Sequence, residues 1–241
     1  MKRNDGRKSD QLRVVNFKLD YIDYPEGSVL IAAGKTRVLC NVSVIQGVPA
    51  WMDHPDSNRG WITAEYALLP RSTSTRVARE TSGLRGRTQE IKRLIGRSLR
   101  AGYNLDLLAR KTLIVDCDVL QADGGTRTAA ITGGYLALAI ALNDLVDRGE
   151  IPGEVFRPPV AAVSVGLLDG EPLLDLNYQE DSRADADLNV VINAEGEYLL
   201  KIGVCLFYSC DSGVGCPSVV GRGMSVGSRD CSWLSELMKL M

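Results

Sequence analysis

Histidine is nearly absent from this sequence of 241 residues, which contains only one, His54. His54 lies in a turn-like stretch directly before Pro55, and a residue in that position is disfavoured in a helix. A catalytic histidine needs an orienting partner and a nucleophile, and the neighbouring sequence supplies neither. We therefore interpret His54 as a solvated loop residue, which disfavours histidine-dependent hydrolysis and histidine-rich metal sites.

Cysteine is scarce, and its spacing fits no common site. The chain has six cysteines and no C-x-x-C pair, and four of the six, Cys205, Cys210, Cys216 and Cys231, lie near the carboxyl end. Zinc sites and redox motifs use closely spaced pairs, whereas disulfides belong to secreted proteins. We expect isolated thiols here.

Long apolar runs are also missing. The longest weakly polar run, residues 129–142, is interrupted by Thr132 and two glycines, and it is shorter than the ~20 residues that cross a bilayer. The basic amino-terminal segment has no apolar region behind it, so it does not read as a secretion signal. The sequence predicts a cytoplasmic protein with no membrane segment.

Charged residues are abundant, and the basic and acidic ones are concentrated in separate segments of the chain. The net charge is −2, but residues 71–111 contain eleven Lys and Arg against three acids, and residues 169–187 contain seven acids against one Arg. A dense basic segment is typical of a phosphate or nucleic-acid surface, with a solvated helix face as the alternative. The acidic segment is either an exposed loop or a place to hold a divalent cation.

Apolar periodicity predicts one domain of mixed α and β structure. In helix 88–103, Ile91, Leu94, Ile95 and Leu99 form one apolar stripe. A second, more apolar helix is predicted at 127–148. The predicted strands are 14–19, 28–33, 36–45, 61–69, 112–121, 160–168, 172–176, 188–194 and 198–204.

The stretch 120–128 predicts an anion site. A strand leads through Gly124 and Gly125 into the long helix, where free backbone N–H groups and the helix dipole favour an anion. Thr126 adds a hydroxyl and Arg127 a guanidinium that binds phosphate in bidentate fashion. Arg87, at the start of the other helix, would complete a clamp if the helices are neighbours; a plain capping turn is the alternative.

A second glycine-containing triplet, Gly34-Lys35-Thr36, resembles the end of a P-loop without fulfilling the pattern. The motif needs glycine where Val29 stands, and the triplet lies between two strands instead of leading from a strand into a helix.

The acidic stretch 178–187 ends where a strand begins. Asp181 and Asp187 are far enough apart for the chain to double back and direct both carboxylates at one cation, such as Mg²⁺. Glu180 and Asp185 are competing candidates that spacing does not exclude, and a solvated acidic loop is the alternative for the whole stretch.

Several ordered motifs resemble those of the ribonuclease PH family of phosphate-dependent exoribonucleases, which trim transfer-RNA 3′ ends. They are Asp-Gly-Arg at 5–7, Gly-Trp-Ile-Thr-Ala-Glu-Tyr at 60–66, Leu-Pro-Arg-Ser-Thr at 69–73, Gly-Arg-Thr-Gln-Glu-Ile at 86–91, Arg-Leu-Ile-Gly-Arg at 93–97, the run 116–132, Glu-Asp-Ser at 180–182 and Asp-Leu-Asn-Val-Val at 187–191. The resemblance covers about residues 1–198 and predicts a domain of that extent, followed by an atypical tail at 199–241.

The resemblance implies a fold, an assembly and a set of site residues. The implied fold is α+β of the ribosomal-protein type, with a left-handed βαβ crossover and a mixed sheet, in subunits that form hexamers as trimers of dimers. The implied reaction uses inorganic phosphate as co-substrate and a divalent cation, Mg²⁺. By position, phosphate binding falls on Arg87, Gly125, Thr126 and Arg127, catalysis and metal binding on Asp181 and Asp187, and RNA binding on Arg71, Arg76, Arg79 and Arg93.

Residues 199–241 depart from the family pattern. A Gly-, Ser- and Cys-rich segment stands where the family has a strand and an amphipathic helix, and only 233–240 retains a weak helical pattern. We hypothesise that this tail is out of the family's reading frame. The function alternatives are a catalytically inactive or impaired RNA-binding ring subunit, which the presence of Arg87, Arg127, Asp181 and Asp187 disfavours, and a small-molecule phosphotransferase, which the failed P-loop disfavours.

Overall fold

The computed structural model describes residues 3–54, 56–81, 83 and 85–205. It contains two antiparallel or mixed sheets with helices packed on them, which confirms the predicted α+β class. The strands are β1 (Val15–Leu19), β2 (Gly27–Ala33), β3 (Thr36–Gln46), β4 (Trp61–Leu68), β5 (Lys111–Gln121), β6 (Val160–Leu168), β7 (Glu171–Leu174), β8 (Ala186–Asn193) and β9 (Tyr198–Cys205). The helices are α1 (Gly86–Ala101), α2 (Thr126–Asp147) and the short α3 (Tyr178–Asp181).

The first sheet has the strand order β1-β2-β3-β5-β4 and is mixed, as predicted. Its strands pair antiparallel except β4 and β5, which are parallel and are joined through α1. A parallel pair needs such a crossover because a tight turn cannot connect strands that run in the same direction. The crossover places the start of α1 beyond the carboxyl end of β4.

The second sheet has the order β7-β6-β8-β9, and all its pairs are antiparallel. Along β8, Asp187, Asn189 and Val191 share one face because side chains alternate in a strand. Val191 is fully buried in the main core with α2, so this face points towards α2.

Helix α2 packs against strands of both sheets and fills the core between them. Two glycines allow it to approach the first sheet closely: a Cβ at Gly133 would lie 2.7 Å from the Ile31 side chain, and one at Gly134 would lie 3.2 Å from Val115. Among the described residues α2 is the one helix long and apolar enough to cross a bilayer, but 67% of its most apolar window is buried in the protein.

Two further predictions, for the histidine and for two of the cysteines, agree with the structure. His54 is exposed in a loop, and its carbonyl accepts a hydrogen bond from Arg110. Cys40 and Cys117 are free, buried thiols on neighbouring strands. The first residues of the predicted tail form β9, paired with β8; the rest of the tail, including the weak helical pattern at 233–240, lies outside the described residues.

Replacing Leu138 by alanine is expected to lower the free energy of unfolding by about 2–5 kcal/mol, the usual cost of a cavity in a packed core. Leu138 is fully buried in α2, whereas Leu167 on β6 is 40% exposed. Leu167→Ala is the matched control and should change stability by well under half as much. Chemical denaturation of both variants checks this, and equal losses would contradict the placement of α2 in the core.

Candidate active site

Residues 123–126, called here the glycine turn, lead from β5 into α2. Gly124 and Gly125 have φ of 75° and 63°, a left-handed conformation that glycine adopts without a Cβ clash. A Cβ at Gly124 would also lie 2.4 Å from the carbonyl oxygen of Leu176. No side chain caps the start of α2 at Gly125, so its first N–H groups are free to bind an anion.

Thr36, the last residue of the triplet that resembles a P-loop, has a structural role in this turn. Its Oγ1 donates to the carbonyl of Gly124 at 2.7 Å and accepts the N–H of Asp123 at 2.9 Å. The triplet joins β2 to β3, and Thr36 is fully buried. Thr36 therefore stabilises the glycine turn through these two hydrogen bonds, and the triplet that contains it is not a nucleotide site.

The structure brings Arg87 and Arg127 together, as the predicted clamp requires. Arg87 lies in the first turn of α1 and Arg127 in the first turn of α2. Both guanidinium groups act electrostatically on the same two carboxylates, Asp181 and Asp187. The Nη1 atom of Arg127 is buried and has no hydrogen-bonding partner among the described residues, which leaves a charged donor for a ligand.

Asp181 ends α3 and Asp187 is the second residue of β8, so the chain doubles back between them. Burial raises the pKa of Asp181, although the charges of Arg127, Arg87 and Arg13 oppose the shift. Burial and the charge of Asp181 raise the pKa of Asp187, and Arg127 and Arg87 again oppose it. Among the described residues no donor reaches the buried Oδ1 atom of Asp187, so this oxygen is available to a ligand.

The structure separates these two aspartates from their competitors. Glu180 is 4% exposed and forms a bidentate ion pair with Arg3, at 2.8 and 2.6 Å. It also completes a capping box with Asn177 at the start of α3. Asp185 is exposed. Asp181 and Asp187 are therefore the two carboxylates that share an electrostatic environment with Arg87 and Arg127.

Two further residues belong to this site and were not singled out from the sequence. The hydroxyl of Tyr66, on β4, lies 2.9 Å from Oγ1 of Thr126. Burial raises the pKa of Tyr66, whereas the hydrogen bond with Thr126 and the charges of Arg127 and Arg87 act to lower it. Asn189 shares the face of Asp187, and its buried Nδ2 atom has no partner in the part of the chain that the structure describes. The sequence indicates these two residues solely through the family-like motifs that contain them, 60–66 for Tyr66 and 187–191 for Asn189.

The four arginines predicted to bind RNA lie outside this cluster. Arg71, Arg76 and Arg79 are exposed in the segment that follows β4, and Arg93 is exposed on α1. Arg93 follows Arg87 by six residues, or about 9 Å along the helix. Arg79 acts electrostatically on Asp118 of β5. All four side chains are therefore exposed, and none of them is among the charges that act on Asp181 and Asp187.

A cleft of about 440 Å³ lies beside the second half of α1, and it too was not predicted as a unit. It is lined by Arg59, Trp61, Arg97, Arg100, Ala101, Tyr103, Asn104, Leu105, Asp106 and Arg157. The guanidinium of Arg100 lies 4.3 Å from the centre of the Trp61 ring, a cation–π contact. Four arginines against one acid make this cleft strongly basic.

The site supplies few ligands for a metal. Among the described residues, no group of three or more His, Cys, Asp and Glu side chains is arranged to hold a metal ion. Two neighbouring carboxylates with an unpaired oxygen fit Mg²⁺, because this ion retains water and takes further oxygens from substrate phosphates.

Comparison with protein-family models matches most of the chain. The model of domain 1 of the 3′ exoribonuclease family matches residues 11–142, and that of domain 2 matches residues 158–209. The second match ends eleven residues beyond the predicted boundary at 198. All the clustered site residues lie within the two matched ranges.

The chain is also similar to characterised relatives over most of its length. It is 56% identical over 199 residues to ribonuclease PH of Corynebacterium efficiens, covering 82% of this chain and 80% of the relative. For ribonuclease PH of Acaryochloris marina the identity is 57% over 197 residues, covering 82% of each chain. For that of Bacillus subtilis it is 52% over 201 residues, covering 82% of this chain and 81% of the relative.

Solved structures share the fold. The chain matches the Archaeoglobus fulgidus exosome with RNA bound to the active site with a TM-score of 0.72 and 23% identity, covering 87% of this chain and 84% of that one. It matches an archaeal exosome core with a TM-score of 0.68 and 22% identity, covering 87% and 82%. At these identities the likeness concerns the fold alone.

Replacing Asp187 by asparagine is expected to stabilise the protein near neutral pH, by roughly 2–4 °C in melting temperature or about 1 kcal/mol for a chain of this size. A carboxyl group whose pKa is raised on folding destabilises the folded state when it is ionised. The gain should shrink as the pH falls towards the ordinary pKa of 3.8, because the group is protonated in both states only below that value. Melting curves between pH 4 and 8, with a chelator present, measure it.

Glu180→Gln should have the opposite effect. Burial alone would raise the pKa of Glu180, but hydrogen bonds from Arg3 and the backbone N–H of Asn177, with the charges of Arg3 and Arg7, hold it below its ordinary value. The variant should lose about 3–5 kcal/mol near pH 7, since it leaves Arg3 unpaired, and this loss should diminish as the pH falls below 4.5. The same sign for both variants would contradict the charge arrangement.

Proposed function

Because this chain belongs to the 3′ exoribonuclease family and to its ribonuclease PH group, we propose that it shortens RNA from the 3′ end by phosphorolysis. In this reaction inorganic phosphate takes the terminal nucleotide and releases a nucleoside diphosphate, which makes the protein a nucleotidyltransferase. The proposed substrate is the 3′ end of transfer RNA, in the cytoplasm. The observation that carries the proposal is the convergence of Arg87, Arg127, Asp181 and Asp187.

Phosphate is bound, in this proposal, between the starts of α1 and α2. Arg87 and Arg127 supply positive charge, Gly125 and Thr126 supply free N–H groups at an uncapped helix start, and the unpaired Nη1 of Arg127 supplies a charged hydrogen bond. A tetrahedral dianion matches this set of donors. Histidine is not needed, because phosphate arrives as an anionic nucleophile.

Asp181 and Asp187 are the proposed ligands of Mg²⁺. When bound, the cation would offset negative charge on the reacting phosphoryl group. The supporting observation is that burial and mutual repulsion raise the pKa of Asp187, with no described donor on its Oδ1. A cation or a proton relieves that repulsion.

The chemistry then needs positioning and one proton. A phosphate oxygen attacks the phosphorus of the terminal phosphodiester, and the bond from phosphorus to the 3′-oxygen of the preceding ribose breaks. The two arginines reduce the repulsion between the two anions and hold them in line. Burial raises the pKa of both aspartates in the absence of a cation, and the carboxyl of the pair that is not coordinated to the cation at this step donates a proton to the departing 3′-oxygen.

RNA is held by basic residues outside the clamp. Arg71, Arg76 and Arg79 follow β4, and Arg93 lies six residues, or about 1.7 turns, after Arg87 on α1; their charges suit the ribose-phosphate backbone. The cleft that contains Trp61 and Arg100 adds an aromatic face and more positive charge, as single-stranded RNA sites do. We further propose a ring of six subunits, assembled as three dimers.

One assay tests the function: the full chain is incubated with Mg²⁺, inorganic phosphate and a transfer RNA with an extended 3′ end. Release of nucleoside diphosphates that requires phosphate supports the proposal. Binding of the RNA without release supports the inactive ring subunit, and release of nucleoside monophosphates without phosphate indicates hydrolysis. Either of these outcomes overturns phosphorolysis.

Replacing Arg127 by alanine is expected to raise the phosphate concentration needed for half-maximal rate by about 100-fold or more, since a buried charged hydrogen bond is worth about 1.5–3 kcal/mol and an electrostatic contact at the reacting group often more. The measurement is the KM for phosphate at saturating RNA. Arg37→Ala is the control, because Arg37 is exposed on β3 and contacts Gln121. An unchanged phosphate dependence would remove Arg127 from the site.

A further inference from the structure

Arg13 lies between the amino-terminal segment and β1, and its charge acts on Asp181, although it is not among the residues predicted for the site. It is 8% exposed, although arginine is usually a surface residue. A buried guanidinium is retained only where its donors are paired. Its partners belong to two distant segments, which meet at the proposed active site.

The first partner is Asp175, which follows β7 and begins the loop to α3. Nε and Nη2 of Arg13 donate to the two carboxylate oxygens of Asp175 at 3.0 and 2.6 Å, and the backbone N–H of Arg13 donates to the same carboxylate at 2.8 Å. Asp175 is 6% exposed and has φ of 54°. Asp181 stands six residues further along the chain, at the end of α3.

The second partner is the glycine turn. Nη1 of Arg13 donates to the carbonyl of Asp123 at 2.6 Å, and Nη2 donates to that of Gly124 at 3.4 Å. A Cβ at Gly125 would lie 2.9 Å from Nη2. The guanidinium therefore supports the turn from the side opposite to the free N–H groups at the start of α2.

We propose that Arg13 is a positioning residue that holds the glycine turn and the loop carrying Asp181 at a fixed separation. One planar guanidinium bonds a carboxylate on one edge and two carbonyls on the other, a geometry that lysine cannot reproduce. The inference rests on the proposed function, because it assigns Arg13 to the placement of phosphate relative to the carboxylates. Arg13 acts through these groups and does not contact substrate.

Arg3 provides a matched control. It is as deeply buried, at 4% exposure, and it binds Glu180 in bidentate fashion and the carbonyls of Leu174 and Asp175 at 2.8 and 3.0 Å. It thus fastens the same loop, but none of its hydrogen bonds reaches the glycine turn. If both residues only stabilise the fold, substituting either one should have the same effect. If Arg13 also positions the phosphate, only its substitution should change phosphate binding.

The experiment compares Arg13→Lys with Arg3→Lys in the full chain. The measurements are melting temperature, kcat per folded protein, and KM for phosphate at saturating transfer RNA with Mg²⁺. Both variants should melt earlier, while Arg13→Lys alone should raise the KM for phosphate roughly tenfold or more, since a misplacement of ~1 Å can cost about 100-fold. If Arg13→Lys does not fold, Arg13→Gln, which retains two N–H donors, replaces it.

An unchanged KM for phosphate in the Arg13 variant, or an equal rise in the Arg3 variant, overturns the inference. A separate readout distinguishes its failure from that of the proposed function: the rise in melting temperature that inorganic phosphate produces without RNA. If the wild type shows this rise but no phosphorolysis, the proposed function fails, and a rise weakened only in the Arg13 variant still supports the positioning role. An equal rise in all three proteins overturns that role.

Discussion

The burial of helix α2 between two sheets is the constraint on which the rest of the structure depends. Gly133 and Gly134 allow the first sheet to approach one side of the helix, and the face of β8 that carries Val191 covers another. A helix held on both sides cannot rotate or slide without opening the core. Its first turn, with Arg127, therefore stays at the place where the second sheet presents Asp187.

The charges at that place are arranged at a cost to stability. Arg127 keeps an unpaired Nη1 and Asp187 an unpaired Oδ1, both buried, and such groups destabilise a folded protein by about 1–3 kcal/mol each. The amino-terminal segment offsets this cost, because Arg3 pairs with Glu180 and Arg13 with Asp175. Two buried ion pairs thus lie beside a centre whose own charged groups are not fully paired among the described residues, as is usual where a ligand binds.

Much of the fold follows from local sequence patterns, because alternation and a helical stripe are local signals. Each long element begins and ends within two residues of its predicted bounds. Helix α3 escaped prediction because four residues are too few to show a period. Its start depends on the capping box between Asn177 and Glu180, a four-residue pattern that predicts a helix start only where an apolar run follows it.

The site residues likewise include some that local sequence predicts and some that it cannot distinguish. Gly125 and Arg127 could be predicted because strand, glycines and helix are consecutive in the chain, whereas Asp181 and Glu180 could not be told apart by spacing. The difference between their pKa values depends on whether a cation is close enough to hold the carboxylate in its charged form. For Glu180 that cation is Arg3, which is 177 residues away in the sequence. Two adjacent carboxyl groups consequently have pKa values shifted in opposite directions. Glu180 forms an ion pair within the fold, whereas Asp181 is available for the reaction.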